Sequence, residues 1–390
     1  MKKKFVTYIC YMIMLLFCVI FTMISPLLMS IADTFLMNMT QAGFIFGANY
    51  IGFIVFITIG GILADRIGKK VLLSVTFVGL TAVLSIVSYA PNYIILYFLM
   101  ALIGGLNGII QSQVSALIAE LNPENPDVCI NISQIFCGFG ALMGPLMAST
   151  ILKNGLSWQY CYHIMAGLML IATVVFILTK LPQLPRSEAI TWGDFKMLMK
   201  NRKFVVICFC MILYAGSEVG GWGWLSTFLK KDMNFSIEQS SFVVSVFFGS
   251  LTIGRIVCGF LMRRFELRIM IIALACLSAG TTVITYFIHS QIAIWLIITI
   301  LGFTYSSQWS LIASYGTRVC TGSSSTAFAM LVGSSGIGMA GIPCLMGVIG
   351  ESFSIRLAMV SPAVLLFIIA MIFMNIEKKS ISYEKAYICD

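Results

Sequence analysis

Apolar runs of about 20 residues, the length a helix needs to cross roughly 30 Å of hydrocarbon, recur along this 390-residue chain with only short polar breaks between them. No other feature restricts the fold as hard, because a backbone in lipid must satisfy its own hydrogen bonds and a helix does so within one segment. Twelve runs are placed near 9–32, 41–64, 71–90, 94–120, 130–152, 159–180, 204–229, 239–262, 269–289, 291–317, 323–348 and 354–376. Composition points the same way: 59% of the residues are hydrophobic and 10% charged, whereas a soluble domain carries about 25% charged residues to cover its surface. The expected fold class is an all-α polytopic membrane protein.

An even number of spans returns both chain ends to one side, and the basic residues say which. With that side cytoplasmic, the inner segments hold Lys2, Lys3, Lys4, Arg66, Lys69, Lys70, Lys180, Arg186, Lys196, Lys200, Arg202, Lys203, Arg263, Arg264, Arg268, Arg318, Lys378, Lys379 and Lys385. The outer loops keep Lys153, Lys230, Lys231 and Arg356, and Arg255 falls inside a span. Such an asymmetry is that of a positive-inside topology, so a multi-pass protein of the plasma or inner membrane with both termini cytoplasmic is expected, in contact with the lipid bilayer. The formal net charge of +9 sits in these short loops, and nucleic acid is not a partner that this pattern supports. Met1-Lys-Lys-Lys4 and the apolar run after it have the outline of a secretory signal. The run is long enough to span, however, and no small-residue cleavage site follows Pro26, so it is read as the first span. Nearly all of the twelve cysteines lie in apolar segments without a CxxC pair. They read as small buried hydrophobes and not as disulfides or metal ligands.

The longest hydrophilic stretch, 181–203, stops the sixth span with prolines and then alternates apolar and basic residues from Trp192 to Lys203, as a helix lying on the inner membrane surface would. It divides the chain into a first six-helix bundle (1–180), a linker (181–203) and a second bundle with a short tail (204–390). The bundles resemble each other at an offset of 198 residues. Gly61-Ile-Leu-Ala-Asp-Arg-Ile-Gly-Lys-Lys70 falls on Gly259-Phe-Leu-Met-Arg-Arg-Phe-Glu-Leu-Arg268, Gly104 on Gly302, Gly138 on Gly336, Gly140 on Gly338 and Pro145 on Pro343. Internal repeats with a site held between them are a common transporter plan.

The segment Gly61-x-Leu-Ala-Asp65-Arg66-x-Gly68-Lys69-Lys70 resembles the loop signature between the second and third helices of the major facilitator superfamily. The weaker copy at 259–268 and the six-plus-six arrangement carry the likeness across the chain. It implies the major facilitator fold, two pseudo-symmetric six-helix bundles. It also implies a gating role for Asp65, which in the superfamily steadies the outward-facing state, with Gly61, Arg66, Gly68, Lys69, Arg255 and Arg263 at the same gating end. Gly61 is expected to allow close helix approach, and the basic residues to hold the loop at an anionic leaflet. Gly140-Ala-Leu-Met-Gly144-Pro145 also resembles a superfamily feature, prominent in drug-exporting antiporters. The fourth-helix arginine of many proton-driven exporters has no counterpart in Leu96–Gly105.

Among fifteen acidic residues, Glu218 alone sits well inside a span, where an ionisable group is costly and usually faces a cavity or a partner. Tyr214, Glu218 and Trp222 follow the i, i+4, i+8 spacing of one helical stripe. Asn107 and Gln111 in the fourth span, Asn131 and Gln134 in the fifth, and Tyr305, Gln308 and Trp309 in the tenth add amides and flat rings. Donors and acceptors on the same side chains, aromatic faces and an absence of basic residues suit a neutral polyhydroxylated ligand such as a sugar. An anionic substrate would want an arginine or lysine in the core, where Arg255, read as part of the gating end, is the single candidate. Gly216-Ser-Glu218-Val-Gly-Gly-Trp222-Gly-Trp224 and Asn131-Ile-Ser-Gln134-Ile-Phe-Cys-Gly-Phe-Gly140-Ala resemble the matching segments of the fucose-proton symporter branch and its sodium-dependent glucose-transporter-like relatives. That likeness implies monosaccharide uptake, with Glu218, Trp222, Asn131 and Gln134 as pocket residues. Proton symporters of the branch use acids in the first and fourth helices. Here the first has Asp33 at its outer end and the fourth has Gln111, so the coupling ion, H+ or Na+, stays open: Glu218 is the candidate to carry a proton, to help hold a sodium ion, or to bind sugar hydroxyls in a uniporter.

No cofactor, metal or catalytic constellation is expected: His163 and His289 lie near outer helix ends, with no HExxH or paired-acid pattern. A secondary transporter working by alternating access on a small solute, as a monomer, is the expectation. A drug or metabolite exporter of the same fold is the rival, and a membrane sensor is the non-transport alternative.

Overall fold

The computed structural model describes residues 2–179, 192–262, 264–319 and 324–376. Regular structure in the first half comprises α1 (Lys2–Thr22), α2 (Ile24–Thr34), α3 (Met39–Ile67), α4 (Lys69–Ile86), α5 (Tyr93–Leu121), α6 (Pro126–Lys153) and α7 (Gln159–Leu178). The short α8 (Trp192–Lys200) leads into α9 (Arg202–Lys231), α10 (Ile237–Leu261) and α11 (Leu267–Phe287). After these come α12 (Gln291–Tyr305), α13 (Gln308–Val319), α14 (Ser324–Ser352), α15 (Ile355–Val360) and α16 (Pro362–Asn375). Twelve crossings result, because α2 continues α1, α12 and α13 share one crossing, and so do α15 and α16. Proline explains two of the three interruptions: Pro26 and Pro362 cannot donate to the preceding turn. The tenth crossing breaks at Ser306–Ser307 without one.

The offset of 198 reappears in the structure, contact by contact. Capping boxes close the starts of α3 (Asn38 with Gln41) and α10 (Ser236 with Gln239), each satisfying two orphan N–H groups of a first turn. Asn92 and Ser290 cap the next equivalent pair, α5 and α12. A Cβ on Gly104 would lie 1.8 Å from the Asn49 carbonyl, and one on Gly302 would lie 2.4 Å from that of Phe247. Gly140 lies against the Leu15 carbonyl and Gly338 against that of Ile212, so α6 crosses α1 as α14 crosses α9. Lys70 and Arg268, the last residues of the repeated loop motif, do the same work. The Lys70 ammonium donates to the carbonyls of Phe176, Ile177 and Thr179 at the end of α7, and Arg268 donates to those of Phe373 and Met374 at the end of α16. Cations there complete orphan carbonyls and oppose the negative end of the helix dipole.

The two halves meet through α3 with α14 and α6 with α10, and they meet unevenly along their length. At the end away from the chain termini the Met39 amide donates to Glu351 (2.8 Å), Lys153 pairs with Glu238 (2.7 Å) and the Ser25 hydroxyl donates to the Trp222 carbonyl (2.8 Å). Farther down, Gly336 lies against Ile54 and Gly138 against Thr252, again equivalent contacts. Beyond these, towards the termini, the same four faces lose each other: Thr58, Asn131, Arg255 and Gly259 are exposed, and nothing approaches within 4 Å of a Cβ placed on Gly61, Gly259 or Gly333. The halves therefore close at the far end and diverge at the termini end.

Candidate functional site

At 1.5 Å per residue, Glu218 lies about 24 Å along α9, midway between the two ends. It is half-buried while Tyr214, Ser217, Val219 and Trp222 around it are buried. One turn towards the far end, Trp222 meets Phe46 of α3 edge to face and Phe248 of α10 at a tilt. With Ser25 holding its carbonyl, this aromatic cluster plugs the seam between the halves above the carboxylate. Below it stand the Tyr214 hydroxyl, one turn away on the same stripe, and the Arg255 guanidinium, whose positive charge favours the carboxylate. The charge of Glu218 is also felt by Tyr50 of α3 and Tyr305 of α12. Trp222, one turn along the same stripe of α9, meets Phe46 of the opposite half, so Glu218 lies on the face of α9 turned towards the space between the bundles.

The broken tenth crossing forms one wall of this space. A break in mid-membrane frees backbone carbonyls that lipid cannot satisfy, so neighbouring side chains must. Tyr214 donates its hydroxyl to the Tyr305 carbonyl at 2.5 Å, and Arg255 donates Nε to the Ser306 carbonyl at 3.1 Å. Two residues that act on Glu218 thus also hold the break. Arg255 reaches across the seam electrostatically to Cys18 of α1, yet its guanidinium and the Glu218 carboxylate do not close into a direct ion pair.

The other residues expected at a pocket divide. Tyr214, Glu218, Trp222 and Tyr305 come together. Gln308 is buried and donates to Leu274, Ser278 and Thr304, so it ties α13 to α11 as interhelical glue. Trp309 packs on Phe328 of α14. Asn107 is fully buried, with neither amide atom paired among the described residues. Gln111 and Gln134 are half-buried, and Asn131 is exposed near the start of α6.

Of the gating set, Gly68 adopts φ +83° at the junction of α3 and α4, a backbone that only glycine takes without strain. Lys69 forms an ion pair with Glu120 of α5, and Arg66 is exposed. Gly61 departs from expectation: no helix approaches it, because it lies where the halves have separated. The side chain of Asp65 and the whole of Arg263 lie outside the described residues, as do residues 180–191 of the linker. Arg255, expected near the cytoplasmic end, instead reaches the mid-membrane break. Tyr50, Phe46, Phe248 and Cys18 were not anticipated. Only Tyr50, a polar ring within an apolar span, carried any signal in the sequence.

A model of the Major Facilitator Superfamily matches residues 10–331 and, separately, 207–386. The "Protein TsgA homolog" of Buchnera aphidicola subsp. Baizongia pistaciae (strain Bp) is 22% identical over 300 residues, 76% of each chain. Among solved structures, a bacterial homologue of the human lysosomal transporter Spinster, in an inward-facing and occupied conformation, aligns with a TM-score of 0.84 at 15% identity, over 96% of each chain. The E. coli fucose:proton symporter FucP aligns with a TM-score of 0.66 at 18% identity, over 96% of this chain and 99% of its own. At these identities the likeness to the solved structures is one of fold.

Proposed function

We propose a task for this chain, which belongs to the Major Facilitator Superfamily and is a secondary transporter of that family: uptake of a polyhydroxylated solute of monosaccharide size, together with a proton, by alternating access. The observation that carries this reading is the half-buried Glu218 carboxyl at mid-depth, beneath an aromatic plug and facing a seam that opens at one end. With the termini cytoplasmic, as the basic loops favour, the opening faces the cytoplasm and the closed end faces outward. The far-end ties of Met39 to Glu351 and Lys153 to Glu238 part when the halves rock the other way.

A proton is favoured over sodium by the state of the broken crossing. Unwound carbonyls are the usual sodium ligands in such folds, and here those of Tyr305 and Ser306 each already accept from a protein donor, which leaves each with one lone pair and makes them weaker ligands. A carboxyl group at mid-depth can gain and lose a proton, and the Tyr214 hydroxyl, which donates to the Tyr305 carbonyl, keeps its oxygen free to accept from the protonated form. The fucose:proton symporter among the solved likenesses supports the solute class by analogy of fold.

Proteoliposomes containing the purified chain, given labelled monosaccharides and sugar acids under an imposed proton or sodium gradient, test the proposal. The inward proton gradient is expected to drive accumulation above the external concentration. Glu218→Gln is expected to abolish that accumulation, and a variant that concentrates solute as the parent does would make the carboxylate structural only.

A further inference from the structure

We infer that the solute carries a carboxylate, that is, it is a sugar acid, and that it binds at the Arg255 guanidinium while Glu218 holds the accompanying proton. The inference rests on the transport proposed above and narrows its substrate class. The starting observation is the state of Arg255. Its Nε is anchored on the Ser306 carbonyl at 3.1 Å, the residue is exposed, and its two terminal nitrogens make no hydrogen bond among the described residues. A guanidinium fixed by one edge presents its other nitrogens as a planar fork, the shape that matches a carboxylate with two parallel bonds. Thr252, one turn away on the same face of α10, lies against Gly138 of the opposite half, so the fork is on the seam face of the helix.

The electrostatic environment then sets the stoichiometry. Arg255 from α10 and Tyr214 from α9 act on Glu218, and Glu218 acts on Tyr50 of α3 and Tyr305 of α12. Among the described residues no other charged side chain acts on this carboxyl. A chamber sealed at both ends during the rocking step penalises any net charge inside it. Empty, the site holds one carboxylate and one guanidinium and is neutral. An anion entering alone would leave it negative, and a proton alone would leave it positive. An anion on Arg255 with a proton on Glu218 restores neutrality, so both cross together or neither does. The proton adds to a Glu218 carboxylate oxygen and is released from it at the inner side with the anion, and no other bond changes.

This cycle moves no net charge, whereas a neutral sugar entering with a proton would move one positive charge per turnover. The experiment uses proteoliposomes of the full chain with D-glucuronate, D-galacturonate and D-gluconate as probes beside D-glucose, D-galactose and L-fucose. Accumulation of at least one acid is expected to approach about tenfold per pH unit of gradient, the limit for one proton per solute. It should be unchanged when a potassium diffusion potential of either sign is imposed. Glu218→Gln is expected to keep exchange of labelled for unlabelled acid while losing net uptake, since its empty site carries an uncompensated positive charge. Arg255→Gln is expected to lose both. Uptake of a neutral sugar but of no acid, or acid uptake that follows the potential, would overturn the inference and leave the proposed transport standing. Uptake of none of the six would overturn both.

Discussion

Superposed at the offset of 198, the two halves share caps, glycine crossings and helix-end cations, and they part company at the centre. Where the second half has Glu218 and Arg255, the first has Ile20 and Ile57. The scaffold thus shows what each position needs for packing alone, and that is an apolar side chain. Charge at 218 and 255 is an addition that the equivalent positions of the first half do without. The peripheral contacts differ in a milder way. Trp158 donates Nε1 to the Thr34 hydroxyl at 3.0 Å, and at the equivalent positions Arg356 pairs with Asp232, with further bonds to the Tyr286 and Ile288 carbonyls. One geometry is held by a neutral bond in the first half and by an ion pair in the second.

The sharpest way to break this comparison is Glu218→Leu. If the first half reports correctly on packing, the variant loses proton-driven uptake entirely yet melts close to the parent temperature in detergent, because the desolvation of a mid-membrane carboxylate is relieved while Arg255, left without it, is exposed to solvent. A large drop in melting temperature would make the carboxylate a structural element. Next in size, Arg356→Ala should destabilise by about 1.5–3 kcal/mol by removing charge-assisted bonds to the partly exposed Asp232, whereas Trp158→Phe should cost about 1 kcal/mol for one neutral hydrogen bond. Thermal unfolding of the two variants side by side tests the asymmetry, and equal losses would remove it. Gly140→Ala and Gly338→Ala sharpen the symmetric part. Their Cβ atoms would lie 2.2 and 1.9 Å from the facing carbonyls, so each should cost about 1–3 kcal/mol, by similar amounts. Smallest of all, Lys70→Ala and Arg268→Ala should each lose about 1 kcal/mol at a helix end, read as earlier hydrogen exchange at the end of α7 or α16.

Much of this arrangement was legible in the residues. Apolar length alone placed twelve crossings, and glycine and the loop motif gave the offset, because helix crossings and helix ends restrict which residues fit. Leu36 and Asn234, the two described non-glycine residues with positive φ (52° and 54°), are also equivalents under that offset. An asparagine tolerates that conformation and announces it, whereas a leucine does not. The site was only partly readable. Glu218 stood out because a carboxylate in an apolar run has to be explained. Arg255 was placed by counting residues from the end of its span, and a long side chain reaches several ångströms from its own Cα. Tyr50 and Phe46 contribute through contacts between halves that no local pattern encodes. Gln308 and Asn107 look alike in a string of letters, yet the amide nitrogen of one finds three neighbouring acceptors while its oxygen finds no partner, and neither amide atom of the other is paired among the described residues.

The interruption at Ser306–Ser307 has a consequence for how the molecule can be driven. A proline bend is written into the covalent chain and persists whatever surrounds it. This bend is borrowed: its shape lasts only while a phenol and a guanidinium from other rods keep hold of two oxygens. The curvature of the 29 residues from Gln291 to Val319 is thus set from outside the segment, by two side chains that stand beside Glu218 in the same wall.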